Sequence, residues 1–559
     1  MFGGGAGNEL VVAVDFGTTR TAYATTRRGT DKNDIEVSIP SGASRVSIFH
    51  DSKTPSSILL NETGTKVVAY GYAAEEKYAN KKYESCLFFR HFKLGLANAA
   101  VPDPSVKALN GRSLRLSVVI SKALEYVKDD AVKNLNAKGF ATRATSIIWV
   151  ITVPTMWNDW AKEMMRNAAY NAGMICELHS PNLKIALEPE CACISLQMEK
   201  VQGVPCGVGD KLMIVDCGGG TVDITAHQVE QTDPLSLKEL MAPDGGPYGA
   251  MCVDAKFYEF LEAFIGGSNY DSLCKRREFL AVAWNWEDKK VSFTGSENDD
   301  DKWLAALNFG DILIALNMNG QMGTLISEWN KKNHHRRVEE LDSGTVGISF
   351  NLMMSFFEGP IQNIVDKINS IVISPHNRPS LTGLGWVVIA GGFGRSAMLQ
   401  KKIRENLQDR DFKVVICPHP DLAIVKGATA FGTRPEDYAT TFARERSILE
   451  QQIQRFSLAV NWGDAKIKEL ERLVHAERHE SQCKIENLTA QLQSMEEEKL
   501  EMARNLTFLL RSQSFSGPCD FPLETETTLY LKKATNTFET LYYRNFNKAV
   551  KGFSTLSCH

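Results

Sequence analysis

Two short segments hold the plainest chemistry in this chain: Asp15-Phe16-Gly17-Thr18-Thr19 and Asp216-Cys217-Gly218-Gly219-Gly220-Thr221-Val222-Asp223. Glycine leaves backbone N–H groups open to phosphate oxygens, threonine adds a hydroxyl donor, and a carboxylate can hold Mg²⁺ through its waters. One Asp-x-Gly-Thr turn would also suit an ordinary hairpin. Two such turns, far apart in the chain, suit a nucleotide gripped from both sides.

The elements that must position these turns repeat. Leu10 to Val14 and Leu212 to Val215 read as buried strands leading into them. The first half continues with a strand at 21–26, a helix near 118–137, a strand at 147–152 and a helix at 158–172. The second half follows the same plan, with strands at 211–216 and 222–227, a helix near 351–370, a strand at 386–390 and a helix at 396–407. This layout predicts an α/β fold of two mixed sheets flanked by helices, with ligand in the cleft between them. Long insertions fall at 51–117 and 249–345, and the acidic run 295–301, GSENDDD, reads as a surface loop.

Four further segments narrow the reading: VITVPTMWNDWAKEMMRNAAYNAG from Val150 to Gly173, Glu188-Pro189, VVIAGGFGR from Val387 to Arg395, and DLAIVKGA from Asp421 to Ala428. In this order they resemble the phosphate, connecting and adenosine motifs of the actin, hexokinase and heat-shock ATPase superfamily, and within it the DnaK-type heat shock protein 70 family. Trp284-Asn285-Trp286-Glu287 is similar to the divergent family-12 branch. The resemblance covers residues 10 to about 435. It implies an actin-like ATPase fold of duplicated ribonuclease-H-like domains, with lobe I at 10–205 and lobe II at 206–435 around a nucleotide cleft. The insertions would form the outer subdomains, and residues 1–9 a flexible N-terminus.

The same resemblance implies ATP or ADP with Mg²⁺ as cofactors and assigns roles position by position. Asp15 and Asp216 match the acids that organise the hydrated ion, and Glu188 the glutamate after the connecting motif. Gly17, Thr18, Thr19, Gly218, Gly219, Gly220 and Thr221 match the phosphate turns, and Asp223, with Asp216, the acids that orient water. Phe92-Lys93-Leu94-Gly95 is similar to the surroundings of the catalytic lysine, although His91 precedes it and the usual following arginine is absent; an ordinary exposed lysine is the competing reading. Gly391, Gly392 and Arg395 match the adenosine turn. Glu287 and Lys290 match an adenosine-contacting pair, against which stands a plain surface ion pair at helical spacing. Positioning and charge stabilisation supply most of the acceleration in phosphoryl transfer, so acids, small residues and one cation are the types such a site needs.

Composition bounds the alternatives. The chain has 559 residues, 43% hydrophobic and 23% charged, with a net charge of −4, so there is no electrostatic footprint for nucleic acid. No run approaches the apolar length that crosses a bilayer, and a cytosolic or nuclear location is expected. Twelve cysteines include no C-x-x-C pair, which argues against zinc sites and a disulfide framework. Cys191 and Cys193 read as small packing residues on a helix.

From 436 to 513 apolar residues settle on an interrupted heptad, including Leu449, Ile453, Phe456 and Val460, then Leu488, Leu492 and Met495. This predicts a helical, partly coiled-coil extension in which 446–512 either self-associates or packs on its own body. Residues 514–559 read as a linker and tail. No alternating strand pattern for a peptide-holding β-sandwich is recognisable after 435. Three functions follow: an ATPase driven by cleft closure, a nucleotide-dependent scaffold with little hydrolysis, or a small-molecule kinase on the same fold. Co-chaperones and clients stay unassigned.

Overall fold

The structure, a computed structural model, describes residues 10–29, 34–40, 52–96, 103–199, 207–232, 235–296, 304–318, 320–342, 344–434 and residue 497. The expected extension, linker and tail at 436–559 lie outside the described residues apart from Glu497, as does the N-terminal segment 1–9.

Two six-stranded sheets organise the rest. In the first, the Leu10–Phe16 strand runs antiparallel to Arg20–Arg27, which continues to Glu36–Ser38. On its other side Leu10–Phe16 is parallel to Ile148–Val153, and that strand to Leu183–Leu187. The second sheet repeats this order of pairings. Lys211–Cys217 is antiparallel to Val222–Thr232 and parallel to Leu384–Ala390, which is parallel to Lys413–Ile416. The central strands, LVVAVDF and KLMIVDC, are apolar from Leu10 to Val14 and from Leu212 to Val215 because both faces are covered there; Val11, Val12, Ala13 and Val14 are wholly buried. An aspartate therefore appears only at the end of each strand, where the backbone leaves the sheet.

Helices follow the expected positions, at Leu116–Ala137, Asp159–Asn171, Phe350–Ile373 and Ala397–Leu407. Two more complete the centre. Glu188–Met198 and Pro420–Thr433 pack on each other, and the second also reaches Leu10–Phe16 and Leu384–Ala390, one strand from each sheet. The approach is so close that a Cβ on Gly427 would lie 1.7 Å from the Cys191 carbonyl oxygen. Cys191 and Cys193 are buried in this crossing.

The two insertions fold as α/β pieces of their own. The first carries the sheet Val67–Tyr70, Ile58–Leu60 and Leu87–Phe89 with the helix Gly71–Ala79. The second carries the helices Met251–Ile265 and Glu278–Ser292 with the sheet Leu304–Asn308, Thr345–Ser349 and Val338–Asp342. They meet where the Trp284 indole N–H donates to Glu75, at 2.5 Å. Among the described residues no helix is long and apolar enough to cross a membrane.

Candidate functional site

Because both Asp-Gly-Thr turns leave their sheets at equivalent strand ends, they face one cavity of about 660 Å³. That volume is in the range of pockets that enclose a small organic ligand. Asp15, Gly17, Thr18, Thr19, Lys93, Glu188, Asp216, Gly218, Gly219, Gly220, Thr221, Glu287, Lys290, Gly391, Gly392 and Arg395 all line it. Asp223 does not. It is buried behind the second turn, where its carboxylate accepts from Thr221 Oγ1 at 3.0 Å and from the Met156 N–H at 3.4 Å.

The turns are fixed by their own backbones. The Gly17 N–H donates to the Arg20 carbonyl, Ser56 Oγ donates to the Gly17 carbonyl, and the Gly218 N–H donates to Thr221. The N–H groups of Ala250 and Met251 in turn satisfy the carbonyls of Gly218 and Gly219. Gly391 has a φ of +82°, and a Cβ there would stand 2.3 Å from Asp216 Oδ1 and 2.4 Å from the Cys217 carbonyl oxygen. The adenosine-like turn can thus lie against the second phosphate-like turn only because residue 391 has no side chain.

Lys93 sits in the 3₁₀ turn Phe92–Leu96, anchored by Phe92 against Phe16. It is 2% exposed, so the surface-lysine reading is excluded. Its ammonium lies 3.4 Å from Glu188 Oε1 and 4.7 Å from the centre of the Trp157 ring. Glu188 opens the Glu188–Met198 helix. Burial pushes its carboxyl up to about 7, Lys93 pulling down while Asp15 and Asp223 push up. Asp216 is raised well above the usual carboxylate range, first by burial and then by Glu188, Asp223 and Asp15, with Lys53 opposing. Burial also raises Asp223, against its bonds from Thr221 and Met156.

The second wall is a charged network rather than a plain surface pair. Lys290 bridges Asp254 at 2.7 Å and Glu287 at 2.6 Å, and Arg20 reaches Glu287 at 3.3 Å. Burial alone would raise Glu287, but Lys290 and Arg20 outweigh it and lower its carboxyl to about 2. Arg395 pairs with Asp421 at 3.2 Å, and Ser52 Oγ also donates to Asp421.

Several of these groups escaped the sequence reading: Arg20, Ser52, Lys53, Glu75, Asp254 and the Asp421 side chain. Arg20 directly follows Thr19 and carried a local signal. Lys53 carried none. It arrives through strand register, since Ala22 stands opposite Asp15 and Thr54 opposite Thr21 on the other edge, which sets Lys53 beside that pair.

The residues fit a hydrated divalent cation. Asp216 Oδ1 is buried with no hydrogen-bond partner, and its carboxyl is raised by burial first and then by Glu188, Asp223 and Asp15, which is the mark of a place short of positive charge. Among the described residues no three His, Cys, Asp or Glu side chains converge for direct ligation.

No protein-family model matches the chain. It is 28% identical over 485 residues to human heat shock 70 kDa protein 12B, covering 76% of this chain and 69% of that one. It is 27% identical over 487 residues to human heat shock 70 kDa protein 12A, covering 76% and 70%. More distantly, it is 20% identical over 426 residues to the chaperone protein DnaK of Mycoplasmopsis synoviae (strain 53), covering 76% and 58%. These relatives support the resemblance to the heat shock protein 70 family, in its family-12-like branch.

Proposed function

We infer that this chain is a heat shock protein 70-like protein that binds ATP or ADP with Mg²⁺ between two actin-like lobes and hydrolyses ATP to ADP and phosphate. Similarity to the heat shock 70 kDa proteins supports nucleotide binding. The observation that carries the site is the meeting of Asp15, Lys93, Glu188 and Asp216 at one cavity with both glycine-rich turns. Asp15 and Asp216 would hold Mg²⁺ through its waters, and the ion supplies neutralising charge at the phosphates. Gly17 to Thr19 and Gly218 to Thr221 offer backbone and hydroxyl donors to phosphate oxygens. Lys93 faces the charge that develops on the transferring group. Glu188 accepts from Lys93, so it fixes that cation's direction and is placed to hold a proton of the attacking water. Asp223 acts through Thr221.

The repeated pairing order of the two sheets supports a duplicated design whose lobes close on nucleotide. The Trp284–Glu75 and Arg20–Glu287 contacts tie together segments that such closure would bring to meet. Release of phosphate from purified protein separates an ATPase from a scaffold that only binds: steady Mg²⁺-dependent release is expected, and binding without release would leave the scaffold reading. The heptads at 446–512 favour self-association of the extension. Light scattering of the full chain and of a chain ending at Pro435 tests it, and two monomeric species would overturn it.

A further inference from the structure

Lys53 is the cation most tightly engaged with an acid of the site. Its ammonium lies 2.5 Å from Asp15 Oδ2, and the two side chains are 10% and 4% exposed. Lysine is rarely buried unless paired, and a buried pair often recovers little more than its own desolvation cost. Packing therefore does not explain why a lysine stands here. Its neighbour helps to say what does. Ser52 is pinned to Asp421, which also holds Arg395, so the backbone before Lys53 is fixed to the far side of the cavity. The four-carbon stem of Lys53 then carries a compact charge that can move between partners while its base stays put.

The charges of the cavity divide unevenly. Lys93 serves Glu188 and Lys53 serves Asp15, while Asp216 keeps an oxygen with no hydrogen-bond partner. One of the two acids assigned to the hydrated metal therefore already has a cation of the protein's own.

We propose that Lys53 is a resident counter-cation of the phosphate site: it neutralises Asp15 before ligand arrives and then faces the phosphates of a nucleoside di- or triphosphate, so that nucleotide is retained even without divalent metal. This rests on the nucleotide reading above and deepens it. A divalent ion is needed chiefly on the Asp216 side. Removing Lys53 transfers the whole charge demand of Asp15 to the ion.

Calorimetry of ADP binding to the full chain tests this, with Mg²⁺ and with EDTA in its place, for wild type, Lys53→Met and Lys53→Arg. The ratio of Kd in EDTA to Kd in Mg²⁺ should be larger in Lys53→Met than in wild type by at least about tenfold, the scale of one charge-assisted hydrogen bond. Lys53→Arg should return it toward wild type. Mg²⁺ alone, without nucleotide, should raise the Tm of Lys53→Met more than that of wild type. An unchanged ratio, or a loss equal in both conditions, overturns the proposal and leaves Lys53 a structural pair. If wild type binds no ADP in either condition, the nucleotide reading falls; the Tm shift with Mg²⁺ alone then still decides whether Lys53 is the counter-cation of Asp15.

Discussion

Asp216 and Asp223 stand directly opposite each other on neighbouring antiparallel strands, both nearly sealed from solvent. Like charges in that relation destabilise a sheet, and both carboxyls are raised, by burial first and, at Asp216, by Asp223 itself. The fold keeps the arrangement and relieves only one side of it. Asp223 is satisfied by Thr221 and the Met156 N–H, whereas Asp216 Oδ1 is buried without a hydrogen-bond partner. Asp216 is thus an acid left short of partners beside both glycine-rich turns.

Lys93→Ala should keep ATP binding and lower turnover at least about a hundredfold, the scale of losing one donor to transition-state charge. Single-turnover hydrolysis measures it. Turnover at the parent rate would demote Lys93 to a buried partner of Glu188.

Gly391→Ala should weaken ADP binding at least about tenfold and cost roughly 1–3 kcal/mol of stability, since a Cβ meets Asp216 Oδ1 in a conformation that only glycine adopts freely. Calorimetry and urea denaturation read the two effects. Gly392→Ala is the control for stability, because no atom of the protein lies within 4 Å of a Cβ placed there; equal losses of stability in both variants would contradict the close-approach argument.

Glu188 ties stability to pH. Its folded value is raised to about 7 from 4.5. The folded state therefore binds this proton more tightly than the unfolded chain does. The stability it lends is fully present below about pH 4.5 and is lost as pH rises through about 7. In metal-free protein, Glu188→Gln should flatten the decline between about pH 5 and 8 by an amount on the order of 3 kcal/mol. Denaturant titrations across that range check this, and parallel declines in both proteins would refute it.

What the sequence made legible was local. The acid-glycine-threonine turns announce themselves because strand, acid and glycine are consecutive, and the long helices show their apolar periodicity. The strands Leu183–Leu187 and Lys413–Ile416 were unread because they are short and lysine interrupts or opens them. Lys53 and Glu75 were invisible for a different reason. Each lies in a polar insertion, and only strand register or a helix from the other half brings it to the cavity. The Glu287–Lys290 spacing was visible, but nothing in it revealed Arg20 or Asp254 as further members.

Titration calorimetry of ATP with Mg²⁺, comparing wild type with the Asp15→Ala, Asp216→Ala double variant, tests the central claim most directly. Two turns that hold nucleotide through metal-organising acids predict tight Mg²⁺-dependent binding by wild type and a markedly weaker affinity in the double variant, with the variant still folded by circular dichroism. Unchanged affinity in a folded double variant would contradict the account.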